Sequence, residues 1–476
     1  MEKGFCLDER LAEGFDESQW DNLGPIGLEQ MARKAFEAIA SHLPLRQVKA
    51  FEALAQGSLR PAQEARLLLA NAACSLATGA PLCQDTGVAG VFGFASSFEP
   101  DSTEQALRGA RSAYEARSLR NSVNIPFSMT EEKAWPGNYP AQVCLQFSSA
   151  FPGKRAFVFF AKGGGSQNKT QLFQKTAAFL NEEAIKAFID QRLGELGTSA
   201  CPPYRISLVV GGLSPEQTLM VAKLASLGLY EQGEGDYESY IMQSARRQGI
   251  SVIGATVLRL CRHGASCPVA FAVTCNCDRT VKAVQIGRDF WMERLSSGPF
   301  SGYADFAGAK IDLDRGLGQQ VEGLEEGSAV LLSGEVIIAR DKAHIRFSKE
   351  EDLSFLGSRP IFYAGPCTSP DGVITSIGPT TASRMDEKGL ELIERGCGLV
   401  TIAKGQRTEE YEKSLRSHGG LYFEVPGGAA AYIASNCLQS SSILRYPELG
   451  MEAVRLARFK DLPAFLAIKT AEGAKL

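Results

Sequence analysis

The stretch "AFVFFAKGGGSQNKT", residues 156–170, sets a short apolar run of strand character against three consecutive glycines. From Gly163 to Lys169 and Thr170 its spacing is that of a nucleotide loop, G-x-x-x-x-G-K-[ST], at every position but one. Position 168 is Asn, where the loop needs a glycine so that successive backbone N–H groups can wrap the phosphates. A P-loop NTPase is therefore left as a weakened rival. What remains is a strand leading into a glycine turn. Such a turn lets the main chain pass close to a neighbour and offers open N–H donors to an anion, and it reads equally well as a plain tight turn.

Working outward, similar apolar runs lie at "AQVCLQF" (141–147) and "RISLVVGG" (205–212), and helical spacing is read over 171–190 and 215–227. This alternation gives an α/β fold. Upstream, residues 28–43, 44–57 and 60–79 carry apolar spacings of three and four, each segment closed by Pro or Gly. Downstream, the chain turns rich in Gly and acid over 296–328, and a domain boundary is placed near residue 315, dividing 1–315 from 316–476. Beyond it, "SAVLLSGEVIIARD" (328–341) reads as paired strands, 387–394 as a helix and "GLVTIAKG" (398–405) as a strand.

The composition bounds the function. A chain of 476 residues with 44% hydrophobic and 22% charged residues has ample core, and a net charge of −4 gives no basic field for sequence-independent nucleic-acid binding. The expected partner is small. No run approaches the roughly 18 apolar residues of a membrane span, and the acidic start has no apolar signal core, so a cytoplasmic protein is expected. Of twelve cysteines, Cys6, Cys74, Cys144, Cys397 and Cys437 lie among apolar or helical residues and read as structural; Cys83, Cys201, Cys275, Cys277 and Cys367 stand out. There is no C-x-x-C, so zinc ribbons and thioredoxin-type motifs have no support.

Three stretches could carry chemistry. "PLCQDTGVAG" (81–90) is a loop presenting a thiol, an amide and a carboxylate, or else an N-capping turn. "TSACPPYRISLVVGG" (198–212) places Cys201 before a Pro-Pro that forbids helix. "LCRHGASCPVAFAVTCNCDRT" (260–280) holds His263, one of four histidines, and Cys275. Further on, "ARDKAH" (339–344), "IGPTTASRMD" (377–386) and "IAKGQR" (402–407) each set a cation beside Gly or hydroxyl residues, which suits a carboxylate and equally a helix cap or surface pair.

In that order, "CQDTG", "LRNS", "PAQ", "AKGGGSQNKT", "CPPY", "VVGG", "RHGASCPV", "CDR", "ARDKAH", "YAGP", "GPTTASRMD" and "AKG" make the chain resemble the class I, iron-sulfur-dependent fumarases and the related tartrate dehydratases. The resemblance runs from about Gly27 to Gly473. It implies a two-domain class I fumarase-like α/β fold, with a cluster-bearing N-terminal α/β domain, a C-terminal swivelling β/α domain and the site between them. It also implies a homodimer.

Carried over, the resemblance makes Cys83, Cys201 and Cys275 the ligands of a 4Fe-4S cluster with one open iron acting as a Lewis acid. On the same resemblance Thr380 would take the C3 proton of malate, with Arg384 four residues on stabilising the alkoxide, and Asp85 would be the acid for the departing hydroxyl, with His263 close by. Gln84, Arg120, the Gly163 amide, Arg340 and Lys404 bind the substrate carboxylates. The implied reaction is reversible hydration of fumarate to L-malate, with tartrate or mesaconate as alternative diacids on the same scaffold. A non-catalytic relative is the rival, against which the intact "CQDTG" and "GPTTASR" stand. The departures are the loop over 121–139, a segment between Cys201 and Cys275 shorter than usual, Val88 where Thr is common, and Ile377 where Phe is common, the last expected to reshape an apolar wall beside Thr380.

Overall fold

The computed structural model describes residues 11–117, 119–135, 138, 140–197, 200–230, 235–298, 306–369 and 371–470. The apolar run of the opening stretch is a strand, Lys154–Lys162, paired antiparallel with Val88–Ala95 on one side and Thr280–Ile286 on the other. Phe157 and Phe159 enter one core cluster, while Val158 and Phe160 enter another. A strand covered on both faces has no polar side to show, and hence the unbroken apolar run. Its six-stranded sheet runs in the order Asp21–Gly24, Asp289–Met292, Thr280–Ile286, Lys154–Lys162, Val88–Ala95, Gln142–Phe147. Helices Leu28–Ser41 and Ser102–Ala116 cover one face through Met31, Phe36, Ala106 and Ala110.

A second sheet takes the order Gln171–Lys175, Cys267–Thr274, Tyr204–Gly212, Val252–Arg262. Here the helix expected over 171–190 is corrected. Gln171–Lys175 is an edge strand pairing Phe173 with Val269, and the helix begins only at Glu182, where Asn181 Oδ1 accepts from Ala184 N at 2.8 Å. The N-cap, not the apolar spacing, decides where the helix starts.

In the C-terminal part, Ala329–Ile338, Ile361–Phe362, Val400–Ala403 and Leu421–Glu424 run parallel. The long strand Val454–Ile468 pairs antiparallel with both the first and the last of them, so the sheet closes on itself. Val330, Leu332, Val336, Ile338, Phe362 and Ile402 fill its core. The paired strands expected over 328–341 are a single strand. Ser333-Gly334, which reads as a turn, is a bulge: the register shifts between Leu332 and Gly334, and Gly334 takes φ +137°. The Gly- and Pro-rich stretch after Tyr363 forms a two-stranded ribbon, Ala364–Thr368 with Ile374–Pro379.

Contacts group the chain into two units, Met1–Phe51 with Asp85–Gly298, and Glu52–Gln84 with Pro299–Leu476. Helix Arg60–Thr78 lies in the second: Leu67 joins the closed-sheet core, and Arg60 pairs with Glu424 at 2.7 Å. The boundary near residue 315 stands as a proposal. Among the described residues no helix is long and apolar enough to cross a membrane. Cys6 lies outside the described residues.

Candidate active site

In the first unit the glycine turn holds an anion of the chain's own. Gly163 caps the short helix Gly164–Asn168, Gly164 N donates to Asp85 Oδ2 at 2.8 Å, and Gly87 N donates to Oδ1 at 3.2 Å. A Cβ on residue 163 would stand 2.8 Å from Asp85 Oδ2, so only glycine admits this approach. Burial pushes the Asp85 carboxyl up, but the Arg279 and Arg120 guanidiniums and the two amides outweigh it and hold the group below the ordinary carboxylate range. Arg120 is placed through its carbonyl, which accepts from Thr86 Oγ1 at 2.5 Å and Asn138 Nδ2 at 2.7 Å. Thr86 Oγ1 also meets Ser122 Oγ at 3.4 Å, which roots the divergent 121–139 loop beside Asp85. Farther out that loop pairs Asn124–Pro126 with Glu132–Ala134.

The same turn reaches the thiols. Cys275 N donates to Ser166 Oγ at 3.3 Å, Asn276 N donates to the Cys201 carbonyl at 3.0 Å, and Asn276 Nδ2 donates to the Pro202 carbonyl at 2.7 Å. Cys201 and Cys275 are thus held together at the mouth of the glycine turn. Behind them the buried Lys162 donates from Nζ to Ser226 Oγ at 2.9 Å and the Val273 carbonyl at 2.8 Å. Burial pushes this ammonium down to about 7 and Lys223 adds to the fall, while the Cys275 and Asp278 charges oppose it. All described cysteines are free thiols, and Cys275 lies within electrostatic reach of the Lys162 amine; thiols are donors that suit a soft metal centre. Among the described residues no group of three or more His, Cys, Asp or Glu is set to hold a metal ion; Cys83 belongs to the second unit.

His263 is separated from this cluster within one chain. It lies exposed in the turn between Val252–Arg262 and Cys267–Thr274, where its Nδ1 accepts from Ala265 N at 3.2 Å. Cys275 follows the opposite end of the second strand, roughly 25 Å away at the usual strand rise. Within one chain His263 thus lies apart from Asp85, which sits with Gly164 and Ser166 at the other end of that strand.

In the second unit Thr380 follows the ribbon strand Ile374–Pro379. Its N donates to the Tyr363 carbonyl at 2.7 Å, and its carbonyl accepts from Lys404 N at 3.0 Å. The chain then turns through Ser383–Met385 and brings Arg384 Nη2 to 2.5 Å from Thr380 Oγ1, the approach expected from the four-residue spacing. Arg384 also grips Asp341, Nε to Oδ1 at 2.9 Å and Nη2 to Oδ2 at 2.9 Å, and Arg340 Nε donates to the same Oδ2 at 3.1 Å. Burial pushes the Asp341 carboxyl up, but the two guanidiniums prevail and hold it low.

The glycines of "YAGP" and "IGPTT" make room for these groups. A Cβ on Gly365 would stand 2.7 Å from Arg340 Nη1, and one on Gly378 would stand 2.2 Å from Gln84 Oε1. Gln84 Nε2 donates to the Pro379 carbonyl at 3.2 Å, so Cys83-Gln84 is docked on the residue before Thr380. Cys367 Sγ donates to the Gln84 carbonyl at 3.3 Å. Gln84, Arg340, Thr380, Arg384 and the Lys404 backbone thus share one neighbourhood.

Ile377 is fully buried in the closed-sheet core with Val330 and Phe362. Arg407 of "IAKGQR" pairs with Asp386 at 2.6 Å, donates to the Ala382 carbonyl at 3.3 Å and stacks on Tyr411 at 4.1 Å. It ties the 380–386 turn to the Lys404 segment. His344 of "ARDKAH" is buried against Phe347 and Tyr363, with Nδ1 3.2 Å from the Arg340 carbonyl; burial pushes its imidazole down to about 4.

Asp341, Arg279 and Lys162 were not singled out from sequence. Arg279 lay in plain view in "CDR", and Asp341 sat beside Arg340 as an acid at a helix start. Lys162 left no signal, since a lysine ending an apolar strand ordinarily reaches solvent.

Residues 29–284 match a family model described as "Fumarate hydratase (Fumerase)" and residues 290–476 one described as "Fumarase C-terminus". Fumarate hydratase 2 of Leishmania major is 36% identical, over 85% of this chain and 78% of that protein. Fumarate hydratase class I, aerobic, of Escherichia coli K12 is 33% identical over 94% of this chain and 89% of that protein. The anaerobic class I enzyme of the same organism is 34% identical over 82% and 78%.

Proposed function

The chain belongs to the class I fumarate hydratase family, and on that footing we propose that this hydro-lyase interconverts fumarate and L-malate. The observation that carries the reading is the 2.5 Å bond from Arg384 to the Thr380 hydroxyl, a fixed cation aimed at an oxygen that must become anionic to act as a base. Thr380 exchanges the proton at C3. Arg384 stabilises its alkoxide, and Gln84, Arg120, the Gly163 amide, Arg340 and Lys404 hold the two substrate carboxylates through charge-assisted or amide hydrogen bonds, each worth about 1.5 to 3 kcal/mol where charge is involved.

Asp85 works at the hydroxyl end. Because Arg279 and Arg120 keep it ionised, it begins the hydration direction as a base that accepts a proton from the attacking water, and it returns that proton to the departing hydroxyl in reverse. Asp85 thus rests as a carboxylate and serves as the acid for the departing hydroxyl once it has taken up a proton.

Cys83, Cys201 and Cys275 would hold a 4Fe-4S cluster, which when bound would supply Lewis-acid chemistry for the substrate hydroxyl. The joined Cys201 and Cys275 loops support two of these ligands, and the free thiols suit a reducing compartment such as the cytoplasm. The homodimer rests on the family resemblance. Tartrate remains a second reading because Ser122, at the root of the divergent loop, meets Thr86 next to Asp85.

The test is anaerobic reconstitution with iron and sulfide, followed by NMR of fumarate, both tartrate enantiomers and mesaconate. Conversion of fumarate to malate is expected, and preferred turnover of tartrate would move the assignment to the second reading. A fully loaded protein that converts none of them would overturn the dicarboxylate reading.

A further inference from the structure

We propose that Asp341 is a positioning residue that aims the Arg384 guanidinium at the Thr380 hydroxyl, an inference resting on the reading of Thr380 as the base. Arg384 Nη2 carries two hydrogens. It stands 2.9 Å from Asp341 Oδ2 and 2.5 Å from Thr380 Oγ1, while Nε is 2.9 Å from Asp341 Oδ1. A two-point grip on a planar guanidinium fixes its plane and leaves the second Nη2 hydrogen one direction to take, toward the threonine.

The side chain that needs this guidance is long and half-exposed, with no other hydrogen-bonding partner described. Asp341 Oδ2 also accepts from Arg340 Nε at 3.1 Å, so one carboxylate orders both the cation beside the base and a cation assigned to the substrate. Asp341 opens the helix Asp341–Phe347, and a residue serving that helix alone would have no reason to spend both oxygens on arginines. The carboxylate acts through Arg384, since Thr380 and Asp341 both bond to that side chain.

The experiment is a double-mutant cycle on the full chain, with C3 hydrogen–deuterium exchange of malate measured by NMR and iron counted per chain in every protein. Asp341→Asn should lower exchange by about 10²-fold, the cost of roughly an ångström of misplacement. Iron content should match wild type, and Asp341→Glu should recover part of the loss. In an Arg384→Lys background, which lacks the planar fork, Asp341→Asn should cost less than about threefold, because coupled residues are not additive. An equal loss in both backgrounds, or no loss in the first, overturns the proposal. Thr380→Ala is run alongside: near-normal exchange there would show that the base reading had failed, whereas an inactive Thr380→Ala with an additive cycle would isolate the failure to Asp341.

Discussion

Arg384 Nη2 lies 2.5 Å from Thr380 Oγ1 in a turn whose backbone is pinned at both ends, by Tyr363 and Lys404 on one side and by the Asp386–Arg407 pair on the other. A threonine is a costly base, and it becomes usable only where a fixed cation meets its anion without reorganisation. Thr380→Ala should therefore lose kcat by about 10² to 10⁴, the usual range for a general base. Thr380→Ser should retain most of it. The measurement is steady-state kinetics at equal iron content.

Gly163 offers a second test, because a side chain there meets Asp85 Oδ2 at 2.8 Å. Gly163→Ala should displace the carboxylate from the Gly164 amide and lower kcat by about 10²-fold, as for other displaced catalytic groups. Since the substitution removes no thiol, iron content should stay at the wild-type level. Equal activity in Gly163→Ala would show that Asp85 is not needed where it lies.

Much of this was legible in sequence where the signal is local. Strands Lys154–Lys162 and Tyr204–Gly212 declare themselves because both of their faces are covered. The Thr380–Arg384 pair is implied by the resemblance, and its spacing of four allows the approach once the segment turns helically. Features set by distant partners were not legible. Gln171–Lys175 is a strand only because Cys267–Thr274 pairs with it, Gly334 bulges only against Val454–Ile468, and Asp341 meets an arginine 43 positions away. His263 and Cys275 are near in sequence, yet the strand Cys267–Thr274 sets them at its opposite ends.

The thiols should divide sharply. Cys201→Ser and Cys275→Ser should abolish iron binding and the brown chromophore. Cys437→Ser should keep both: that thiol lies in the closed-sheet core, where burial, then the nearby Asp461 and Cys74, push it up to about 12 and make it a poor ligand. Iron retained in Cys201→Ser would remove Cys201 from the ligand set.

His344 predicts a pH dependence of stability. Its imidazole falls to about 4 on folding, chiefly through burial, against an ordinary 6.5. Between those values the unfolded chain binds a proton that the folded chain refuses, so stability rises with pH through this window and levels off above it. Moving from pH 7 to pH 5 should cost about 2 kcal/mol through this residue, at 1.36 kcal/mol per unit. Denaturant unfolding of wild type and His344→Gln at the two pH values checks it: the variant should lose less than wild type by about that amount.

The most direct measurement of the central claim is the anaerobic hydration of fumarate by reconstituted protein, followed as loss of the double-bond absorbance, with wild type and Thr380→Ala side by side at matched iron content. The account predicts steady conversion to L-malate by wild type and a rate lower by about 10² to 10⁴ in the variant. Equal rates in the two proteins, or none from a fully loaded wild type, would contradict it.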